Sequence, residues 1–133
     1  SGYNTWLINK TFGGGIKNFN FYCYKSNKKF DTNYTCNTHP HNYYLEILTE
    51  IGLIGFLLIL SIFIIILYLS FIKKYFLRSP LKDNIIITPF IFLFFSEIFP
   101  LKSTGSFFTT GNSTYIFFII AVILGLYQKQ QLN

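Results

Sequence analysis

Long apolar runs are missing from the first fifty residues of this 133-residue chain and dominate the remainder. From Ile51 to Ile72 there are 22 consecutive positions without a charge, where about 20 suffice to cross a bilayer core. Residues 84–101 form a second apolar stretch, with Pro89 near its start and Glu97 near its end, and residues 111–127 a shorter third one. The pattern predicts an all-α integral membrane protein with three transmembrane helices. An external polar segment over 1–50 ends in a helix start at the membrane surface and leads into a span over 51–72. A basic loop comes next over 73–83, then a return span over 84–101, a short external loop over 102–110, a third span over 111–127 and a polar tail over 128–133. Lys73, Lys74, Arg78 and Lys82, opposed only by Asp83, mark the first connection as cytoplasmic by the positive-inside rule. Residues 1–50 and 102–110 then lie on the opposite side.

The junction between the polar segment and the first span, residues 39–55, carries the densest pattern. A helix beginning near His41 would place His41, Leu45, Leu48, Gly52 and Gly55 on one face, at steps of four and three. His41 then heads a packing stripe and turns away from solvent. Asn42, Glu46, Thr49 and Glu50 form the polar side of the first turns, with Asn42 also a candidate N-cap. Gly52 and Gly55 admit the close approach of another helix. His39 precedes Pro40 and is biased away from helix. Upstream, Gly13-Gly14-Gly15 reads as a turn, Lys25 to Lys29 as a basic patch, and residues 1–38 as a loop with short helical pieces.

Composition sharpens the class. Half the residues are apolar, 21% are aromatic and 12% are charged, which fits a membrane-embedded chain. The net charge of +6 comes from lysines scattered over polar segments, so nucleic acid is not an expected partner and anionic membrane lipids are. The chain has no methionine and starts at Ser1; the expectation is a C-terminal piece of a longer multi-span bundle, whose missing upstream spans are its first partner. Cys23 and Cys36 would close a loop of about fourteen residues, either as a disulfide, with a stabilisation of roughly 3 kcal/mol, or as two buried thiols.

Histidine moves protons near neutral pH, and His41, fixed at a helix start, is the candidate catalytic residue, with His39, Asn42, Glu46 and Glu50 in support. Cys36, His39 and His41 offer at most three zinc donors in no standard spacing, so neither a metal nor a cofactor is expected. A second reading takes the chain as a non-enzymatic membrane subunit or transporter fragment, with His41 and Glu97 as pathway residues facing one cavity.

The stretch from His39 to Gly55 resembles the signature of the bacterial O-antigen ligase and O-antigen polymerase superfamily: His41-Asn42, nine residues from Tyr43 to Ile51, Gly52, two residues, and Gly55. The glycine turn with Asn-Phe (Gly13 to Phe19), the His-Pro-His-Asn lead-in and the segment from Pro100 to Thr109 also look like that family. The resemblance implies a multi-spanning glycosyltransferase of the bacterial inner membrane, with the histidine motif at the end of a periplasmic loop. It implies a lipid-linked oligosaccharide donor, an undecaprenyl-pyrophosphate glycan, and a lipid A core or glycan acceptor, as in lipopolysaccharide assembly. His41 would act as general base for the acceptor or would donate a hydrogen bond to the leaving phosphate. The family binds pyrophosphate with periplasmic arginines from preceding regions, whereas the only arginine here, Arg78, is expected on the cytoplasmic side. Lys17 and Lys102 are the candidate phosphate contacts within the chain, and this piece alone is expected to be inactive.

Overall fold

A computed structural model describes residues 1–72, 86–103 and 105–132. The basic loop expected over 73–83 lies outside the described residues. Among those described the chain is all-helical, without strands: α1 (Gly2–Trp6), α2 (Phe19–Phe30), α3 (Tyr43–Leu67) with a π-helical continuation (Tyr68–Ile72), α4 (Thr88–Glu97) and α5 (Thr110–Leu132). It divides into two compact units, Ser1–Ile59 with Pro100–Asn112, and Leu60–Phe99 with Ser113–Asn133.

Among the described residues two helical stretches are long and apolar enough to cross a membrane, Tyr43–Phe71 and Thr110–Lys129. They coincide with the first and third expected spans, and each extends beyond its expected start. The segment expected as the return span holds a shorter helix of ten residues, α4, which at 1.5 Å per residue covers about 15 Å of a core about 30 Å thick. Pro89 sits in the first turn of α4, where its missing N–H costs no hydrogen bond.

The second unit packs as apolar helices do. Ile116, Ile119, Ile120 and Ile123 recur at helical spacing on one face of α5 and are buried, while Phe117, Phe118 and Leu124 stay exposed. Phe63 and Phe94 meet edge to face at 5.5 Å. Ser70 Oγ donates to the Ile66 carbonyl at 2.5 Å from its buried position in the π-helical turn.

The first unit is built differently, from polar anchors and one covalent tie. Cys23 in α2 and Cys36 are joined by a disulfide, Cα to Cα 5.7 Å, and with Phe19 they form a small buried cluster. Asn20 Nδ2 donates to the Cys36 carbonyl at 2.8 Å and Asn27 Nδ2 to the Tyr34 carbonyl at 2.7 Å. These bonds fasten residues 34–37 along α2. The helix ends at Asp31, which takes the left-handed conformation that satisfies a helix C-terminus.

Candidate functional site

The head of α3 organises the first unit, and its start is set by Asn42. The Asn42 Oδ1 accepts the Leu45 N–H at 3.1 Å, the N-cap bond, while Nδ2 donates to the Pro100 carbonyl at 2.7 Å. One side chain therefore begins the helix and holds the segment 100–112 beside it. His41 precedes the cap. It stands outside the helix, is exposed, and has φ +52°. The expected packing stripe headed by His41 does not form, because Asn42 takes the cap and His41 lies before it in a bend with left-handed backbone. Histidine is among the few non-glycine residues that enter this conformation with some frequency. The His39 ring lies 4.4 Å from that of His41, tilted by 60°, and His39 Nδ1 is 3.1 Å from the Thr38 hydroxyl. The two imidazoles thus form a pair in which His41 is exposed and His39 half-buried.

The polar face of α3 is the buried one, the reverse of an ordinary surface helix. Glu46, Thr49 and Glu50 are 1%, 4% and 2% exposed, whereas Leu53, Ile54, Leu57 and Leu58 are exposed. Each carboxylate is satisfied by groups brought from far along the chain. Glu46 accepts the Ser106 hydroxyl on Oε1 and the Phe107 N–H on Oε2, the latter at 2.5 Å. Phe107 is itself buried, with its ring edge to face on Tyr43 at 5.5 Å. Glu50 Oε2 accepts the Lys17 N–H at 2.8 Å. Burying a carboxylate is costly unless it is hydrogen-bonded in this way, so both acids act as anchors for other segments.

Just past the second anchor α3 opens. Gly52 has φ 71° and ψ −171° inside the helix, which separates the Thr49 and Glu50 carbonyls from their usual partners, the N–H groups of Leu53 and Ile54. Residues 10–15 supply the replacements. Gly14 N–H and Gly15 N–H donate to the Thr49 and Glu50 carbonyls, both at 2.8 Å, and the Lys10 and Thr11 carbonyls accept from Leu53 and Ile54 at 2.9 and 3.3 Å. The Lys10 carbonyl also receives the Trp6 indole N–H at 3.0 Å. The sequence predicts a helix approaching Gly52 and Gly55. Instead Gly52 meets this loop, whose Thr11 carbonyl and Gly13 N–H would be struck by a Cβ, and Gly55 meets the Ile51 side chain of its own helix. The glycine turn, read from sequence only as a turn, is the plug of an opened helix.

Lys17 is exposed with φ +62° and engages Glu50 through its N–H. Lys102 is exposed in the segment that Asn42 and Glu46 hold. The Cys36 sulfur is committed to the disulfide, so it offers no thiolate beside His39 and His41, and among the described residues no group of three metal-binding side chains occurs. Glu97 is half-buried and belongs to the second unit. Sequence reasoning did not single out Ser106 or Phe107 as partners of Glu46; a hydroxyl-rich loop opposite a glutamate pair was the available signal.

A family model described as O-antigen ligase matches residues 1–60 of the chain. No curated protein and no solved structure matches it. The matched region ends just past Gly55 and contains the imidazole pair, the plugged helix and both buried glutamates.

Proposed function

From the match of residues 1–60 to the O-antigen ligase family model we propose that this chain belongs to the O-antigen ligase/polymerase superfamily and is the histidine-bearing part of a membrane glycosyltransferase acting on the periplasmic side. The donor is a glycan on an undecaprenyl-pyrophosphate carrier, and the acceptor is lipid A core or another glycan. The two helices long and apolar enough to cross a membrane and the family match support a membrane protein; the placement in the bacterial inner membrane, the third span and the side of the histidine motif belong to the proposal.

One observation supports this reading most directly. The three segments that resemble the family in sequence, around Gly13, His41 and Ser106, meet on the head of α3 through Glu50, Gly52, Asn42 and Glu46. Segments so far apart in the chain gain from a common address when they serve a common site. In this reading His41 takes the proton from the acceptor hydroxyl, or donates a hydrogen bond to the leaving phosphate. Its exposure leaves the ring open to a substrate, and the Asn42 cap fixes the backbone behind it. His39 orients it from 4.4 Å. Lys17 and Lys102 contribute positive charge toward the pyrophosphate, as point charges rather than bidentate forks.

The test is the surface glycan ladder of cells carrying the full-length gene. His41→Ala removes a general base, an effect of roughly 10²–10⁴-fold on transfer, and the ladder is lost while the protein remains in the membrane. A ladder unchanged by His41→Ala overturns the assignment.

A further inference from the structure

Helix α2 turns two unlike faces. Phe19, Cys23 and Ser26 are buried. Phe21, Tyr24, Lys25 and Lys28, at helical spacing on the other side, line a shallow groove with Asn20. Phe21 and Tyr24 are 64% and 55% exposed and adjoin on one face of the helix, where contiguous apolar surface marks an interaction site. The helix carries three lysines and no acid. Lys25 lies 5.7 Å over the Tyr22 ring, and neither Lys25 nor Lys28 has an acidic partner among the described residues.

The level at which α2 sits is set by its ties to α3. Lys17, two residues before its first turn, is held by Glu50, and the loop before that is hydrogen-bonded to residues 49–54. Those are the positions at which the long apolar run of α3 begins. Phe12 and Ile16, in and just after this loop, are 77% and 55% exposed. The same level therefore presents apolar side chains from the loop and from α3, next to a helix with an aromatic and basic face.

We propose that α2 is an interfacial helix whose Phe21, Tyr24, Lys25 and Lys28 face binds the headgroups of anionic phospholipids, with Phe12 and Ile16 seated among the acyl chains. Aromatic side chains concentrate at the headgroup level, and lysines reach the phosphates while their stems stay on apolar surface. A soluble acidic glycan matches the lysines and the aromatic rings, but it gives no reason for exposed Phe12 and Ile16 at the edge of the apolar run. The proposal stands independently of the role of His41.

The experiment is native mass spectrometry of the full chain, released from detergent after exposure to phosphatidylglycerol or phosphatidylcholine. The wild type retains phosphatidylglycerol in preference to phosphatidylcholine. In the double variant Lys25→Gln, Lys28→Gln that preference falls roughly 25-fold, since each lysine near an anionic surface contributes about fivefold. The thermal midpoint of the variant in detergent is unchanged, because both side chains lie on the outer face of the helix. Equal retention of the two lipids by the wild type, or an undiminished preference in the variant, overturns the proposal. So does occupancy by an acidic oligosaccharide or by farnesyl pyrophosphate, offered in parallel arms, with none by phosphatidylglycerol.

Discussion

Gly13 and Gly52 face each other backbone to backbone, both at positive φ, and a Cβ added to either would lie 2.5 Å from the backbone nitrogen of the other. Neither residue has room to yield, since the contact is with main chain. Gly13→Ala or Gly52→Ala therefore forces the loop out of the opened helix, at a cost of roughly 1–3 kcal/mol for the strained backbone alone. Thermal unfolding in detergent reads this as a lowered midpoint. Gly125→Ala is the control: a Cβ there meets nothing within 4 Å, and alanine in a helix gains roughly 0.5–1 kcal/mol over glycine.

Glu46 holds the segment 100–112 through two bonds to one side chain. Glu46→Gln keeps the volume and can still accept the Phe107 N–H while its amide donates to the Ser106 oxygen, but two charge-assisted bonds become neutral ones, at about 1 kcal/mol. Limited proteolysis should then cut within residues 100–109 faster than in the wild type. Ser106→Ala removes one bond and gives a smaller change in the same direction. Equal cleavage rates for Glu46→Gln and wild type would show that the segment is held by other contacts.

Asn42 separates two effects by substitution. Asn42→Asp retains an oxygen for the Leu45 N–H and loses the donor to the Pro100 carbonyl; Asn42→Ala loses both. The cap accounts for about 1 kcal/mol and the tether for a similar amount. The expected order of stability is wild type, then Asp, then Ala, measured as unfolding midpoints.

The disulfide between Cys23 and Cys36 closes a thirteen-residue separation, for which chain entropy gives a stabilisation of about 3 kcal/mol. Reduction should lower the unfolding midpoint of the wild type and leave that of a Cys23→Ser, Cys36→Ser variant unchanged. Alkylation coupled to mass spectrometry shows no free thiol before reduction and two after it.

The left-handed backbone of His41 allows stability to be set against chemistry. Glycine enters that conformation without steric cost, so His41→Gly leaves the unfolding midpoint level or higher, while transfer is lost with the imidazole. His39→Ala, which keeps His41, reduces transfer less. A His41→Gly chain that still transfers glycan removes the imidazole from the reaction.

Much of the architecture is legible in the chain because lipid sets simple demands. An uncharged run from Ile51 to Ile72 has few alternatives to a spanning helix, and the stretch around 111–127 obeys the same rule. The return span was less legible, since apolar composition over 84–101 does not reveal that ten described residues of it are helical. The inward face of α3 was hidden for a different reason. Glu46 and Glu50 resemble solvent-facing acids until their partners are known, and those partners lie 61 and 33 residues away in sequence. Gly52 was legible as a close contact but not as a break, because a lone glycine in a helical pattern commonly marks a packing notch. The run Gly13-Gly14-Gly15 was the matching half of that signal. Where the loop crosses the opened helix, Gly13 and Gly52 come closer than a Cβ on either would allow.

The opened turn of α3 leaves a helix long and apolar enough to cross a membrane incomplete on its own. Four peptide groups, the carbonyls of Thr49 and Glu50 and the N–H groups of Leu53 and Ile54, are completed by residues roughly forty positions earlier. At the edge of a hydrocarbon layer each such group left bare costs several kcal/mol. An expression boundary drawn between Gly15 and Tyr43 would thus deliver a helix with a gap in its ladder, however intact its hydropathy profile. The insertion competence of this span is written in two places in the gene, and the earlier of them is polar.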